Sequence, residues 1–341
     1  MTDKHRTPCH AQRYLFRLPG PSSPVGLTHI PALDAHLFSI AKHASPDSSL
    51  NHGDVLEIQG PPSSGKTHLL YHLLVDCITP SGYNAIDLGG WAKAGIVFDM
   101  DHSFDILRFN RLFRSRLTRL IGGTSASAVD SIAKRSLERL HIFRPSSSSQ
   151  LAVTISHLAQ YHTSRLAKEE IGIVAIDSMS AHYWPDRFIA EQIRTAAAAS
   201  PEHSKEALIT PMQHVLSALE SFRRSHGAVT VLTNWGLHPV YNSNPILFRQ
   251  HLHPFPAPFP HSHPPNPRQD TNAAASLSLR LTCHITLHQE TSGPVAGASA
   301  NQDGSWDMSQ KSIVVGVIRT PSHPAVNKFV LSITANDILA N

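Results

Sequence analysis

The sequence is poor in cysteine: Cys9, Cys77 and Cys283 lie scattered, with no paired spacing. That pattern excludes a disulfide framework and a cysteine-based zinc site, and it fits a reducing compartment, cytosol or nucleus. Long apolar runs are lacking as well. No stretch approaches the roughly 20 residues that span a bilayer, so no membrane segment is expected. The opening Met1-Thr-Asp-Lys-His-Arg6 is polar and does not read as a secretory signal. Charge is sparse at 16%, and a formal balance of +4 permits an anionic partner without demanding one. Proline (25) and histidine (24) are plentiful instead. The prolines imply long loops, and the histidines would charge the chain steeply below neutral pH. At 341 residues the chain can build a substantial core in one or two domains.

The most informative stretch runs from Asp54 to Cys77. Residues 60 to 67 (Gly60, Pro61, Pro62, Ser63, Ser64, Gly65, Lys66, Thr67) read G-x-x-x-x-G-K-T, the phosphate-loop signature. Its context is the required one. Val55 to Ile58 is a short strand-like apolar run, and Thr67 to Cys77 carries Leu69, Leu70, Leu73, Leu74 and Cys77 at helical spacing before Pro80-Ser-Gly82 stops the helix. Such a turn aims backbone N–H groups and a helix dipole at one point, which suits a triphosphate. Lys66 is then the residue that reaches the phosphates, and the Thr67 hydroxyl is a ligand for Mg²⁺.

Residues 1–28 lack periodicity and read as a flexible tail, so the core is expected over 29–341. Leu27 to Ala41 has a helical apolar pattern containing Phe38-Ser-Ile-Ala41, an F-x-x-A string open to two readings, core packing or an exposed anchor for a neighbour. Gly95 to Asp101 reads as a strand ending in carboxylates. Ser103 is the expected N-cap of a helix to Ile121 that shows Arg108, Arg111, Arg114, Arg116 and Arg119 on one face. That face is a solvated one or a contact for DNA or an acidic partner. Arg139 to Phe143 predicts a strand and Ser149 to Leu166 a helix. Ile171 to Ile176, closed by Asp177, is a doubly covered central strand expected beside the phosphate-loop strand. A helix over 211–224 and a strand over 228–234 follow. Residues 236–276 and 289–310 are expected to be long disordered loops, the first rich in proline. Its His251/His253 and His261/His263 pairs lack a carboxylate or thiolate partner and make a poor metal site. The runs 277–287, 311–318 and 328–333 predict antiparallel strands at one sheet edge. Alternating strands and helices make the fold class α/β, a doubly wound, mostly parallel sheet with antiparallel C-terminal strands.

In phosphate-loop proteins an aspartate in the place of Asp177 holds Mg²⁺ through water, although a strand-terminal aspartate can instead simply cap the next turn. Asp101 is the candidate carboxylate for orienting an attacking water. The motif order, from Ile30–Leu37 through Gly60–Thr67, Asp99-Met-Asp101, Ile171–Asp177 and Thr233-Asn234 before a long loop, resembles the RecA-type recombinases. Within them, Gly53-Asp-Val-Leu-Glu57, Phe98 to Arg108 and Asp177-Ser-Met-Ser-Ala-His-Tyr-Trp184 are similar to the eukaryotic DNA-repair paralogues of that family. The likeness covers residues 50 to 235 well and the last hundred poorly. It implies a RecA-like P-loop NTPase core with ATP and Mg²⁺ as cofactors. It further implies a nuclear role in homologous recombination and double-strand break repair, as an adaptor among other paralogue subunits. Single-stranded or branched DNA would be met through that complex. The N-terminal helical DNA-binding domain of full recombinases is expected to be missing.

Two departures bear on turnover. Active recombinases carry glutamate where Asp101 stands, and glutamine, which senses the γ-phosphate, where Trp235 stands. ATP binding with weak or absent hydrolysis is therefore expected. The alternatives are a competent DNA-stimulated ATPase and a phosphate-loop small-molecule kinase, the latter because Asp99-Met-Asp101 also suits an acceptor hydroxyl.

Overall fold

The computed structural model describes residues 24–40, 47–122, 126–199, 210–240, 243, 245–253, 255–256, 279–290, 311–321 and 323–340. The expected loop 289–310, the His261/His263 pair and Ala41 of the F-x-x-A string lie almost wholly outside these residues. Helix α1 (Pro31–Ile40) precedes β1 (Val55–Gly60) and α2 (Lys66–Ile78). A short hairpin, β2 (Gly82–Tyr83) and β3 (Ile86–Asp87), leads to β4 (Ala94–Asp99), α3 (Ile106–Ile121), α4 (Ala126–Leu137) and β5 (Leu140–Phe143). Then come α5 (Ser148–Ser156), α6 (Leu158–Arg165), β6 (Ile171–Asp177), α7 (Tyr183–Ala199), α8 (Pro211–His226) and β7 (Val229–Trp235). The chain closes with β8 (His238–Pro239), β9 (Phe248–Arg249), β10 (Cys283–Gln289), β11 (Ser312–Thr320), β12 (His323–Ile333) and β13 (Ile338–Ala340).

One sheet organises the described residues, in the order β13-β12-β11-β10-β1-β7-β6-β4-β5. From β10 to β5 every pairing is parallel, and β11 to β13 are antiparallel. The central strands β1, β4 and β6 are buried at every position, as doubly covered parallel strands are. Alternation then splits the core in two. Leu56, Ile58, Ile173 and Ala175 face the layer of α2, α3 and α4, whereas Val55, Val174 and Ile176 face α5, α6 and α8.

Several expectations are corrected. Strand β1 does not neighbour β6, because β7 lies between them. All three runs are apolar and doubly covered, so composition alone could not rank them across the sheet. Strand β10 is parallel to β1 and only its other edge begins the antiparallel part, with Leu56 opposite Cys283. The α3 cap is Asp105, not Ser103: its carboxylate accepts from the N–H groups of Leu107 and Arg108 at 2.9 and 3.0 Å. The helix expected over 149–166 breaks at His157 into α5 and α6. Helices α4 and α7 were not foreseen.

The start of the core is longer than the tail assignment allowed. Val25 and Thr28 are buried, Thr28 donates to Asp34 Oδ1 at 2.8 Å, and Trp91 Nε1 donates to the Leu27 carbonyl at 2.9 Å. His29 joins buried Asp76 at 3.0 Å, and this hydrogen bond raises its pKa. Phe38 is half-buried on α1. The proline-rich stretch after β7 is built at its start. His238-Pro239 pairs with Phe248-Arg249, and Phe248 and Leu252 are buried. Proline tolerates this place because a two-residue edge pairing asks little of its missing N–H.

Candidate phosphate-binding site

The loop between β1 and α2 depends on its two glycines. At Gly65 φ is +87°, a left-handed conformation that side chains resist, and a Cβ there would sit 3.1 Å from Ile333. At Gly60 a Cβ would sit 2.5 Å from the Leu287 carbonyl oxygen. Lys66 Nζ donates to the loop carbonyls of Gly60 and Pro61 at 2.9 and 2.8 Å. Burial lowers its pKa, opposed by the charges of Asp177 and Asp101. Ser64 is buried, and its hydroxyl has no hydrogen-bond partner among the described residues. Pro62 and Ser63 are exposed at the rim.

Asp177 stands close to this loop although a strand intervenes. Thr67 Oγ1 donates to its Oδ2 at 2.8 Å, and Thr233 Oγ1, from the intervening β7, donates to its Oδ1 at 2.5 Å. Burial raises the Asp177 pKa, and these two hydroxyls oppose the rise. Thr233 went unassigned in the sequence, though a threonine closing a buried apolar strand was the available signal. Asp101 is exposed, and its Oδ1 accepts from the Ser103 N–H at 3.2 Å. Its charge acts on both Lys66 and Asp177. Asp99, by contrast, is structural: it is fully buried and bound by Arg144 Nε at 3.0 Å.

Beside the loop opens a cleft of about 290 Å³, lined among others by Ser63, His68, Arg108, Ser312, Ile333 and Thr334. Burial, helped by the Arg108 charge, lowers the His68 pKa to about 4, so the ring is neutral at physiological pH. Arg108 Nη2 donates to the Thr334 carbonyl at 3.3 Å while its buried Nε has no partner among the described residues. A guanidinium plane and a neutral imidazole are suited to stacking on a flat heteroaromatic ring. These residues come from α2, α3 and the C-terminal strands, and no sequence signal joins them.

The basic face of α3 is largely engaged within the molecule, which corrects its reading as a free surface. Arg114 pairs with Asp130, Arg116 with buried Asp76, and Arg119 with Asp337. Among the described residues no group of His, Cys, Asp or Glu is arranged to hold a metal ion directly, and no helix is long and apolar enough to cross a membrane.

A phosphate loop at the end of a parallel strand, an aspartate two strands away bonded to the loop threonine, and antiparallel strands closing one edge define a RecA-like core. No family model matches the chain. It is 35% identical over 173 residues to the DNA repair protein XRCC2 of Mus musculus, covering 51% of this chain and 52% of that protein. It is also 22% identical over 209 residues to the DNA repair protein XRCC2 homolog of Arabidopsis thaliana, covering 54% and 55%. The chain is thus similar to XRCC2 proteins, and it spans about half the length of each of these relatives.

Proposed function

We propose that this chain is an ATP-binding recombinase paralogue that acts in the nucleus as an adaptor subunit. In this reading it works in a heteromeric complex supporting recombinase filaments during homologous recombination and double-strand break repair. The relatives' title as DNA repair proteins supports the biological half of this reading. The observation that carries the molecular half is the convergence of Lys66, Thr67, Asp177 and Thr233 on one glycine-shaped loop.

The residues suit a nucleotide. The buried Ser64 hydroxyl, which has no partner among the described residues, the αL turn at Gly65 and a lysine bonded only to loop carbonyls among the described contacts form a cradle suited to an anion. Residues 60–67 would hold the phosphates, Thr67 and Asp177 the Mg²⁺ ion, and the cleft at His68 and Arg108 the base. A bound Mg²⁺–ATP supplies a polarised terminal phosphate. The chain's own residues do little to turn it over. Asp101 is exposed and engaged with the Ser103 N–H. Trp235 offers an indole, which has no acceptor to orient a water. Loss of such a positioned group costs about two orders of magnitude or more in rate.

Purification from nuclear extract tests the adaptor role: recombinase paralogues are expected to co-purify, and their absence would sink it. The competent-ATPase reading draws on Asp101, whose charge acts at Lys66 and Asp177. DNA-stimulated turnover abolished in Lys66→Ala would favour it over the adaptor.

A further inference from the structure

The carboxyl ends of β1, β6 and β7 carry a second buried polar cluster that the phosphate site does not use. Glu57 lies on β1 and is fully buried. Its Oε1 accepts from Asn234 Nδ2 at 2.6 Å and from Gln250 Nε2 at 2.8 Å. Ser180, just past β6 and equally buried, donates to Asn234 Oδ1 at 3.3 Å and accepts from the Trp235 N–H at 3.0 Å. The same hydroxyl lies 3.1 Å from His251 Nε2. Burial pulls the His251 pKa down to about 4, so the ring is neutral, and because the Ser180 hydroxyl spends its proton on Asn234 Oδ1 the tautomer that fits is the one with the proton on Nε2.

Each anchor therefore holds both the end of β7 and the strap. Glu57 and Ser180 between them grip both ends of the Asn234 amide, and each also grips one of the consecutive residues Gln250 and His251. Flanking apolar contacts complete the seat. Phe248 and Leu252 are buried on either side, and the Tyr183 ring meets the His251 ring edge-on at 5.0 Å. Gly236 has no room for a side chain, since a Cβ would lie 2.9 Å from the Phe248 ring.

We propose that Glu57 and Ser180 form a two-point polar latch holding the strap Phe248–Leu252 closed over the end of β7. A buried acceptor that loses one of two donors weakens that contact, and an ionised acceptor loses more than a neutral one. Neither anchor is a group assigned above to the phosphates or the metal, so the latch stands apart from that site.

Hydrogen exchange measured by mass spectrometry on the full chain tests this. In Ser180→Ala, amides of residues 246–253 are expected to exchange roughly tenfold to a hundredfold faster, and in Gln250→Ala, whose Oε1 itself accepts from the His251 and Leu252 N–H groups, the same is expected of the amides of 246–249. Amides of α2 and β4 are expected to keep their wild-type rates. Glu57→Gln, which keeps a carbonyl acceptor, is expected to loosen the strap less than Gln250→Ala does. Unchanged strap exchange in both alanine variants would mean that Phe248 and Leu252 alone hold the segment, and the latch would be overturned. Equal acceleration in α2 and β4 would overturn it too, since the cluster would then be ordinary core.

Discussion

Lys66 sits where a single ammonium meets two carbonyls and the charges of two aspartates. Lys66→Ala is expected to weaken ATP binding roughly 10- to 100-fold, as loss of a charge-assisted contact does, with little change in melting temperature. Equilibrium dialysis with labelled ATP, beside a melting curve, checks both halves. Glu57 carries the opposite kind of information. Burial raises its pKa from 4.5 to about 7, against the Asn234 and Gln250 hydrogen bonds and the Arg319 charge, with His284 Nε2 3.6 Å away. Between those values the folded chain holds a proton that the unfolded chain has released. Stability from this group is thus full below pH 4.5, falls as pH rises, and is lost above about 7. The penalty on the alkaline side is at most about 3 kcal/mol. Glu57→Gln is therefore expected to stabilise the protein at pH 8 and leave it unchanged at pH 4. Urea titrations at the two pH values decide it, and a destabilised variant at pH 8 would refute the assignment.

Elements were legible in proportion to how local their cause is. The apolar runs of β1, β4, β6 and β7 and the spacing in α2 could be read directly, because burial on both faces leaves few polar residues. Helix α7 was missed because its exposed Trp184 and Phe188 do not mark a buried stripe. Capping depends on geometry at one turn, and so Asp105 rather than Ser103 closes α3. The strap shows the same limit. A disordered loop over 236–276 would make deletion of residues 250–268 thermally silent, yet that deletion removes Gln250 and buried Leu252. It is expected to lower the melting temperature by several degrees. Leu252→Ala alone is expected to cost about 2–4 kcal/mol, in the range for emptying a buried leucine site. Calorimetry on both variants is the check, and an unshifted transition in each would show the strap to be unpacked.

At the scale of the whole molecule, the phosphate loop is wedged between the parallel and antiparallel parts of the sheet. Gly65 abuts Ile333 of β12 and Val314 of β11, while Thr67 reaches Asp177 at the end of β6. A ligand seated there braces both halves and binds only the folded chain. Saturating Mg²⁺–ATP, at about 100 times its dissociation constant, is expected to add about 2.7 kcal/mol of stability. The melting temperature should rise accordingly in wild type and by much less in Lys66→Ala, whose weaker binding leaves about 0.4 to 1.4 kcal/mol at the same ligand concentration; a rise of equal size in both would show binding elsewhere.

By itself the sequence determined the α/β class, the loop at 60–67 and the run closed by Asp177, where local spacing and chemistry suffice. The departures at Asp101 and Trp235 came from the resemblance to the RecA-type recombinases. Only the tertiary structure decided that β7 separates β1 from β6, that Thr233 completes the Asp177 contacts, and that His68, Arg108 and Thr334 share a cleft. It alone joined Glu57 to Gln250 across 193 positions. Those outcomes follow from how crossovers order equally apolar strands and from which side chains the sheet then brings within hydrogen-bond reach, and neither is encoded in local pattern.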